Sequence, residues 1–263
     1  MKPILPESTI IGDRTKIESR WSRRLQLQIQ QAVRWTPAAK VAAKIAVVTR
    51  AEIKGLWGQG WRLGMDHGDR EFKLISSKSN RAKFAYFSDE DKITNPRAEI
   101  AIDDRISQIA TSVGSSEWEQ MQEFLTSNVK GDLSRKDLTS AISAVLGGER
   151  FQARAETIAR TELATAYNMG RLQTYRDSGV PGVIFYAILD ERTCPICMSR
   201  NGRTARMDDW IGMRMLTAPL HVNCRCVVSP MLDDTLVSSV RGLPQMGKRE
   251  WFTDGILRGI IKD

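Results

Sequence analysis

Four cysteines and one of the chain's two histidines fall within 33 residues of a 263-residue sequence. They read Cys194-Pro195-Ile196-Cys197 and His221-Val222-Asn223-Cys224-Arg225-Cys226, and no cysteine occurs elsewhere. Incidental buried thiols would be scattered along a chain of this length. Thiols paired as C-x2-C and C-x-C, with a histidine three residues before the second pair, are instead the pattern of ligands brought together in space. The fold must therefore let these two segments meet.

Zinc takes four ligands from cysteine sulfur and histidine nitrogen. A C-x2-C turn points both sulfurs at one ion. Cys224 and Cys226 on an extended segment would face the same side, because strand geometry has a period of two. His221 could enter from the preceding loop. Five candidates thus compete for four places: all four cysteines, or three cysteines with His221. The alternative is four reduced thiols packed in a compact core, with His221 hydrogen-bonded to backbone. A catalytic zinc normally keeps one position for water, with a general base nearby. Neither H-E-x-x-H nor the zinc-deaminase pattern is present. A closed, structural site is expected, with Asp190 and Glu191 shaping the turn beside it. His67, in Met65-Asp66-His67-Gly68-Asp69, reads as a surface-loop residue with no nucleophile near it in sequence.

No run approaches the roughly 18 apolar residues of a membrane span, so no membrane is expected. The first residues lack the pattern of a signal peptide. A reducing cytoplasm is the expected setting, which favours metal ligation over disulfides. The net charge is +8, and residues 1–60 hold 11 Lys/Arg against 4 Asp/Glu. Arg14, Lys16, Arg20, Arg23 and Arg24 are the candidate contacts to nucleic acid, through its phosphates. A solvated basic helix face is the other reading of the same residues.

The pattern predicts a mainly α fold with a small α+β unit near the C-terminus. Residues 1–12 read as extended. Thr15 and Glu18 form a capping-box pattern ahead of the stripe Ile17, Trp21, Leu25, Ile29 and Val33. A second helix opens at Thr36-Pro37, with Val41, Ile45 and Val48 on its face, and Gly55 ends it. Residues 55–68 carry five glycines with Trp57 and Trp61. This composition suits a loop or closely approaching backbones, with the tryptophans as packing anchors. A short strand is expected at residues 84–87.

From Asn95-Pro96 to Gly179 the periodicity is helical. Ile102, Ile106, Ile109 and Val113 form one stripe. A second helix is capped by Ser116 and Glu119, with Trp118, Met121, Leu125 and Val129 on its face and Gly131 at its end. A third opens at Ser134, with Leu138, Ile142 and Val145. A fourth runs from about Glu149 to Ser178, stopped by Gly179. Strands are expected over Val183–Leu189, near Arg203–Ala205 and at Cys226–Ser229. A tail helix is expected around Trp251, Phe252, Ile256, Ile260 and Ile261. The corresponding division is 1–94 basic and helical, 95–179 helical, 180–230 Cys/His module, and 231–263 tail.

Three motifs in order resemble a known family. They are the helix Arg154-Ala155-Glu156-Thr157-Ile158-Ala159-Arg160-Thr161-Glu162-Leu163 with Asn168-Met169-Gly170, then Asp190 through Cys197 with Asn201-Gly202-Arg203, then Pro219 through Pro230. Over about 150–230 the chain resembles the Mu F-like minor head proteins of tailed bacteriophages, also called head morphogenesis proteins. The resemblance implies a structural protein of low copy number, not an enzyme, that associates with the portal or the major capsid protein. It implies contact with packaged double-stranded DNA, and residence in the host cytoplasm during assembly and then in the virion head. It supplies no catalytic residues. The alternative is a zinc-supported nuclease or nucleic-acid-binding module built on His221 and Asn223. Thr161, Thr165 and Asn168 share a helix face and are expected to bond to the adjacent β unit.

Overall fold

A computed structural model describes residues 4–34, 36–76, 95–128, 140–141, 144–233, 235, 237–243 and 254–261. Four long helices are α1 (Glu7–Val33), α2 (Val41–Ser76), α3 (Pro96–Asn128) and α4 (Glu149–Asp177). Then follow β1 (Gly182–Tyr186), α5 (Pro195–Met198), β2 (Thr204–Arg206), α6 (Trp210–Leu216), β3 (Val227–Met231) and α7 (Asp254–Ile261). The expected class, mainly α with a small α+β unit, is what the elements form. Two compact units are built from discontinuous stretches. One is Met1–Thr15, Trp57–Ile102 and Arg160–Asp263; the other is Lys16–Leu56 and Asp103–Ala159.

The first helix starts earlier than the capping-box pattern suggests. The Pro6 carbonyl accepts hydrogen bonds from Thr9 and Ile10 at 3.0 and 3.2 Å, which opens α1 at Glu7. Residues 7–12 are therefore helical rather than extended, and Leu5 and Ile10 are buried. Thr15 sits inside the helix and caps nothing. The apolar stripe holds, with Trp21, Leu25, Ile29 and Val33 all buried. The Trp21 indole N–H donates to the Glu52 carbonyl at 2.8 Å, tying α1 to α2 within the second unit.

Of the two expectations for the glycine-rich stretch, the loop fails and the close approach of backbones holds. The stretch lies inside α2, which continues through Gly55 to Ser76. Gly60, Gly64 and Gly68 recur every four residues and share one helix face. A Cβ built at Gly64 would stand 2.0 Å from the Tyr167 carbonyl oxygen, and one at Gly170 would stand 2.2 Å from that of Trp61. The glycines are thus spent on letting α2 and α4 approach backbone to backbone. Trp57 and Trp61 pack as anchors, both buried, and the Trp57 N–H reaches Glu162 at 3.3 Å.

Asn95 caps α3, accepting from the backbone N–H of Arg97 and Ala98 at 3.1 Å each. Its amide donates to Gln173 on α4 and to the Gly259 carbonyl on α7. The helix runs unbroken past Ser116, so the expected second start there is absent; Ile102, Ile106, Val113 and Met121 are buried along it. Helix α4 ends as expected: Gly179 takes φ +67°. Gly179 N–H bonds to Arg176 and Val180 N–H to Tyr175, both at 2.9 Å. This is the Schellman arrangement, and it satisfies two orphan carbonyls.

The sheet has the order β2-β1-β3, antiparallel throughout. β1 is central and buried at all five positions, so it reads as a continuous apolar run rather than an alternation. The strand stops at Tyr186, short of the expected Leu189, which is exposed. Leu5 and Ile10 pack with Tyr167, Ile184, Tyr186 and Val227, joining the start of α1 to the sheet. In the tail, Ile256 and Ile260 are buried in α7 as expected. The expected strand at 84–87, the helix opening at Ser134, Gly131 and Trp251-Phe252 lie outside the described residues.

Candidate metal centre

Each half of the centre is a tight turn. In the first, Cys194 is the N-cap of α5, with Pro195 in the first helical position and its sulfur accepting from Cys197 N–H at 3.4 Å. Pro suits that position because the missing N–H would be unpaired there. In the second, Asn223 adopts φ +64°, and Cys224 N–H returns to the His221 carbonyl at 3.2 Å. Asparagine tolerates this left-handed backbone better than most residues.

The turns bring the five expected ligands together. His221 Nε2 lies 3.2 Å from both Cys194 Sγ and Cys197 Sγ, and Cys197 Sγ lies 3.8 Å from Cys224 Sγ. Cys194, Cys197 and His221 form one group, and Cys197, Cys224 and Cys226 a second. Within each, the ligand atoms are mutually inside 4.8 Å. Cys197, Cys224 and Cys226 are buried and Cys194 is partly so; none is in a disulfide. His221 Nδ1 is 2.8 Å from the Val222 carbonyl. A carbonyl only accepts, so Nδ1 carries the proton and Nε2 is left as the donor atom facing the sulfurs.

The donor set suits a soft divalent ion. Two sulfurs held by one tetrahedral zinc at about 2.3 Å would stand about 3.8 Å apart, the spacing of Cys197 and Cys224. The closeness of these groups shows in their protonation equilibria. Hydrogen bonding to Cys224 raises His221 to about 9 despite burial. Bonds to Cys224 and Cys226, with burial, push Cys197 far above an ordinary thiol. Bonds from Cys197 and Cys226 hold Cys224 well below one. The sulfurs cannot all ionise together without a cation between them. The group could hold a metal ion.

Helix α4 and the loops brace this centre. Thr161 Oγ1 accepts from Asn223 N–H at 3.0 Å, and Arg160 donates to the Asn223 side chain at 3.2 Å. Asn168 donates to the Cys226 carbonyl and accepts from Val228 N–H, both at 3.2 Å. It pairs with the edge of β3 as a strand would. Thr165 departs from expectation: its hydroxyl bonds to the Thr161 carbonyl of its own helix. Asp190 shapes its turn through Arg192 N–H and binds Arg225 bidentately at 2.5 and 2.6 Å. Arg200, wholly buried, was not singled out by the sequence. It donates to the Ile196 and Met215 carbonyls at 3.1 Å each, fixing the first turn from behind.

His67 is not a surface-loop residue. It lies inside α2 at 1% exposure. Its Nδ1 is 2.9 Å from the Tyr167 hydroxyl, and Nε2 is 3.5 Å from Asp13. Burial, then the Arg171 and Arg70 charges, lower it to about 4, so it is neutral. It adjoins a polar hub that the sequence did not reveal. Arg171 and Glu71 are an ion pair with both side chains wholly buried. Arg171 also donates to Tyr167, Tyr175 and Ser229 at 2.6, 3.1 and 3.1 Å. Glu71 accepts from Tyr175 at 2.7 Å and from Leu5 N–H at 3.3 Å. Only the helical spacing of Tyr167, Arg171 and Tyr175 hinted at it, and that needed the helix at Glu71 to be known.

The candidate nucleic-acid contacts divide. Lys16, Arg20, Arg23 and Arg24 are exposed on α1, and Arg24 pairs with Glu52 at 3.0 Å. Arg14 does not belong with them. It is buried, donates to the Arg225 carbonyl at 3.1 Å and lies over the Tyr167 ring. The stripe that places the others outward turns Arg14 inward toward the loop beside Cys224. Among the described residues, no helix is long and apolar enough to cross a membrane.

No curated protein and no solved structure matches the chain. One family does, and its match begins earlier than the motifs alone suggest, within α3. Residues 119–229 match the family described as Phage Mu protein F like protein, the family that the ordered helix, strand and Cys/His motifs resemble.

Proposed function

We propose that the protein is a minor head component of a tailed bacteriophage. It acts in head morphogenesis, docks on the portal or the major capsid protein in low copy number, and serves DNA packaging or delivery. The observation that carries this is the family match, which takes in all five Cys/His residues and the helix α4 that braces them. The module is a structural zinc staple: the ion would be held by residues of the two turns and supply cross-linking, not chemistry. Such a cross-link suits a sheet of three short strands, because it would tie together two turns that the strand ladder does not join. The exposed Lys16, Arg20, Arg23 and Arg24 contact the phosphates of packaged double-stranded DNA without reading sequence. Assembly takes place in the host cytoplasm, before residence in the head.

The test is co-expression with the portal and major capsid proteins, followed by mass spectrometry of purified heads. A few copies per head, and co-purification with the portal or capsid protein, are expected. Absence from heads and from both assemblies overturns the proposal. So does magnesium-dependent nicking of plasmid DNA that His221→Ala abolishes, because that outcome makes the module an enzyme.

A further inference from the structure

Five side chains converge where four-coordinate zinc needs four. We propose that the ligands are Cys194, Cys197, His221 and Cys224, with Cys226 outside the coordination shell. This rests on the reading that the module holds a metal ion.

The backbone supplies the first support. Cys194 and Cys197 stand three residues apart, and so do His221 and Cys224. Each pair spans a short turn whose last residue bonds back to its first: Cys197 N–H to the Cys194 sulfur at 3.4 Å, and Cys224 N–H to the His221 carbonyl at 3.2 Å. Two turns of the same span face each other, one a helix N-terminus and the other closed through Asn223 at positive φ. Their atoms alternate in contact: His221 Nε2 touches both sulfurs of the first turn, and Cys197 touches Cys224.

Cys226 is held differently. It follows the second turn and leads into β3 at Val227. Its carbonyl is taken by Asn168, whose side chain also accepts from Val228 N–H. The backbone of Cys226 is thereby tied to α4 as part of the strand. Cys197 belongs to both groups of neighbouring ligand atoms, and Cys224 and Cys226 share the second; what separates these two is the backbone, since Cys224 closes the turn from His221 and Cys226 is already tied into the strand.

Charge agrees. A zinc ion with three thiolates and a neutral imidazole carries a net charge of −1, and with four thiolates −2, by simple addition. Behind the first turn lies one wholly buried guanidinium, Arg200, bonded to the Ile196 carbonyl inside the Cys194–Cys197 turn. Arg225 also stands close to Cys224 and Cys226, but Asp190 already neutralises it; that leaves Arg200 to match the single negative charge of the three-thiolate centre, and burying a second is costly.

The test uses the full chain loaded with zinc or cobalt(II) under reducing conditions. X-ray absorption at the zinc edge of the unmutated protein is expected to show three sulfurs and one nitrogen. With cobalt(II), Cys194→Ser is expected to lower the sulfur charge-transfer absorbance by about one third, as loss of one thiolate in three requires. Cys226→Ser is expected to leave it unchanged. A four-sulfur shell overturns the assignment, and so does loss of absorbance in Cys226→Ser with retention in Cys194→Ser. The X-ray measurement needs no variant, so a misfolded one does not leave the assignment untested. Failure of the unmutated protein to bind either metal overturns the metal reading itself, an outcome distinct from a wrong ligand set.

Discussion

The close crossing of α2 and α4 makes Gly64→Ala a severe change for one methyl group. The Tyr167 carbonyl oxygen stands 2.0 Å from where the new Cβ must go. A carbon and an oxygen approach to about 3.3 Å at closest, so the helices must part by about 1 Å. The obstruction is backbone and cannot rotate away. Overpacking of this kind costs about 1–3 kcal/mol, and a backbone obstruction belongs at the top of that range. Alanine's better helix propensity returns up to about 1 kcal/mol. The net loss is about 2 kcal/mol. Gly55 lies in the same helix but has nothing within 4 Å of its Cβ position. Gly55→Ala should therefore gain up to about 1 kcal/mol from propensity alone. The two variants then differ by about 3 kcal/mol, roughly a hundredfold in the folding equilibrium. Gly60→Ala meets side chains of Leu163 and Ala166 at 2.8 Å, and Gly68→Ala meets Thr174 Cβ at 3.3 Å. Urea unfolding followed by circular dichroism should rank stability as Gly55, Gly68, Gly60, Gly64, from highest to lowest. A Gly64→Ala protein as stable as the parent would refute the backbone crossing.

Arg171→Met leaves Glu71 buried without its partner and should cost about 3–5 kcal/mol; adding Glu71→Leu should restore part of the loss in thermal melts. His67 has a folded pKa of about 4, below its ordinary 6.5, so the unfolded chain binds the extra proton between those values. Its contribution is present in full above pH 6.5 and is lost as pH falls toward 4, at about 1.4 kcal/mol per unit of depression. Urea midpoints should show this slope in the parent and lose it in His67→Gln. Arg20→Ala and Arg23→Ala should each reduce the salt dependence of DNA binding by about one unit of slope. Arg14→Ala should lower stability and leave that slope unchanged.

Where periodicity and local chemistry agreed, the sequence was legible. The stripe from Trp21 to Val33, the stop at Gly179 and the three short strands each follow from spacing and end signals. Glycine left two readings open in α2, a loop or a close backbone approach; the end placed at Gly55 took its usual meaning as a breaker, whereas Gly60 and Gly64 serve a close crossing. The partner, Gly170, is over 100 residues from Gly64, so only tertiary structure resolves the choice. Thr15 and Ser116 show the same weakness in capping patterns: a T-x-x-E or S-x-x-E run inside a helix looks like its start. Arg14 and His67 were misplaced because a charged or polar residue is ordinarily exposed, and their burial depends on Tyr167 and Asp13. The cysteine–histidine convergence was legible because spacing alone restricts such ligands. Its bracing by Arg200 was not, since nothing local marks a buried arginine.

The most direct measurement is the metal content and melting temperature of full-length protein prepared without chelator. A zinc-stapled module predicts about one zinc per chain. It also predicts that Cys194→Ala/Cys197→Ala loses the metal and melts at a lower temperature. Metal-free protein whose melting temperature is unchanged by zinc, chelator or that double substitution would contradict it.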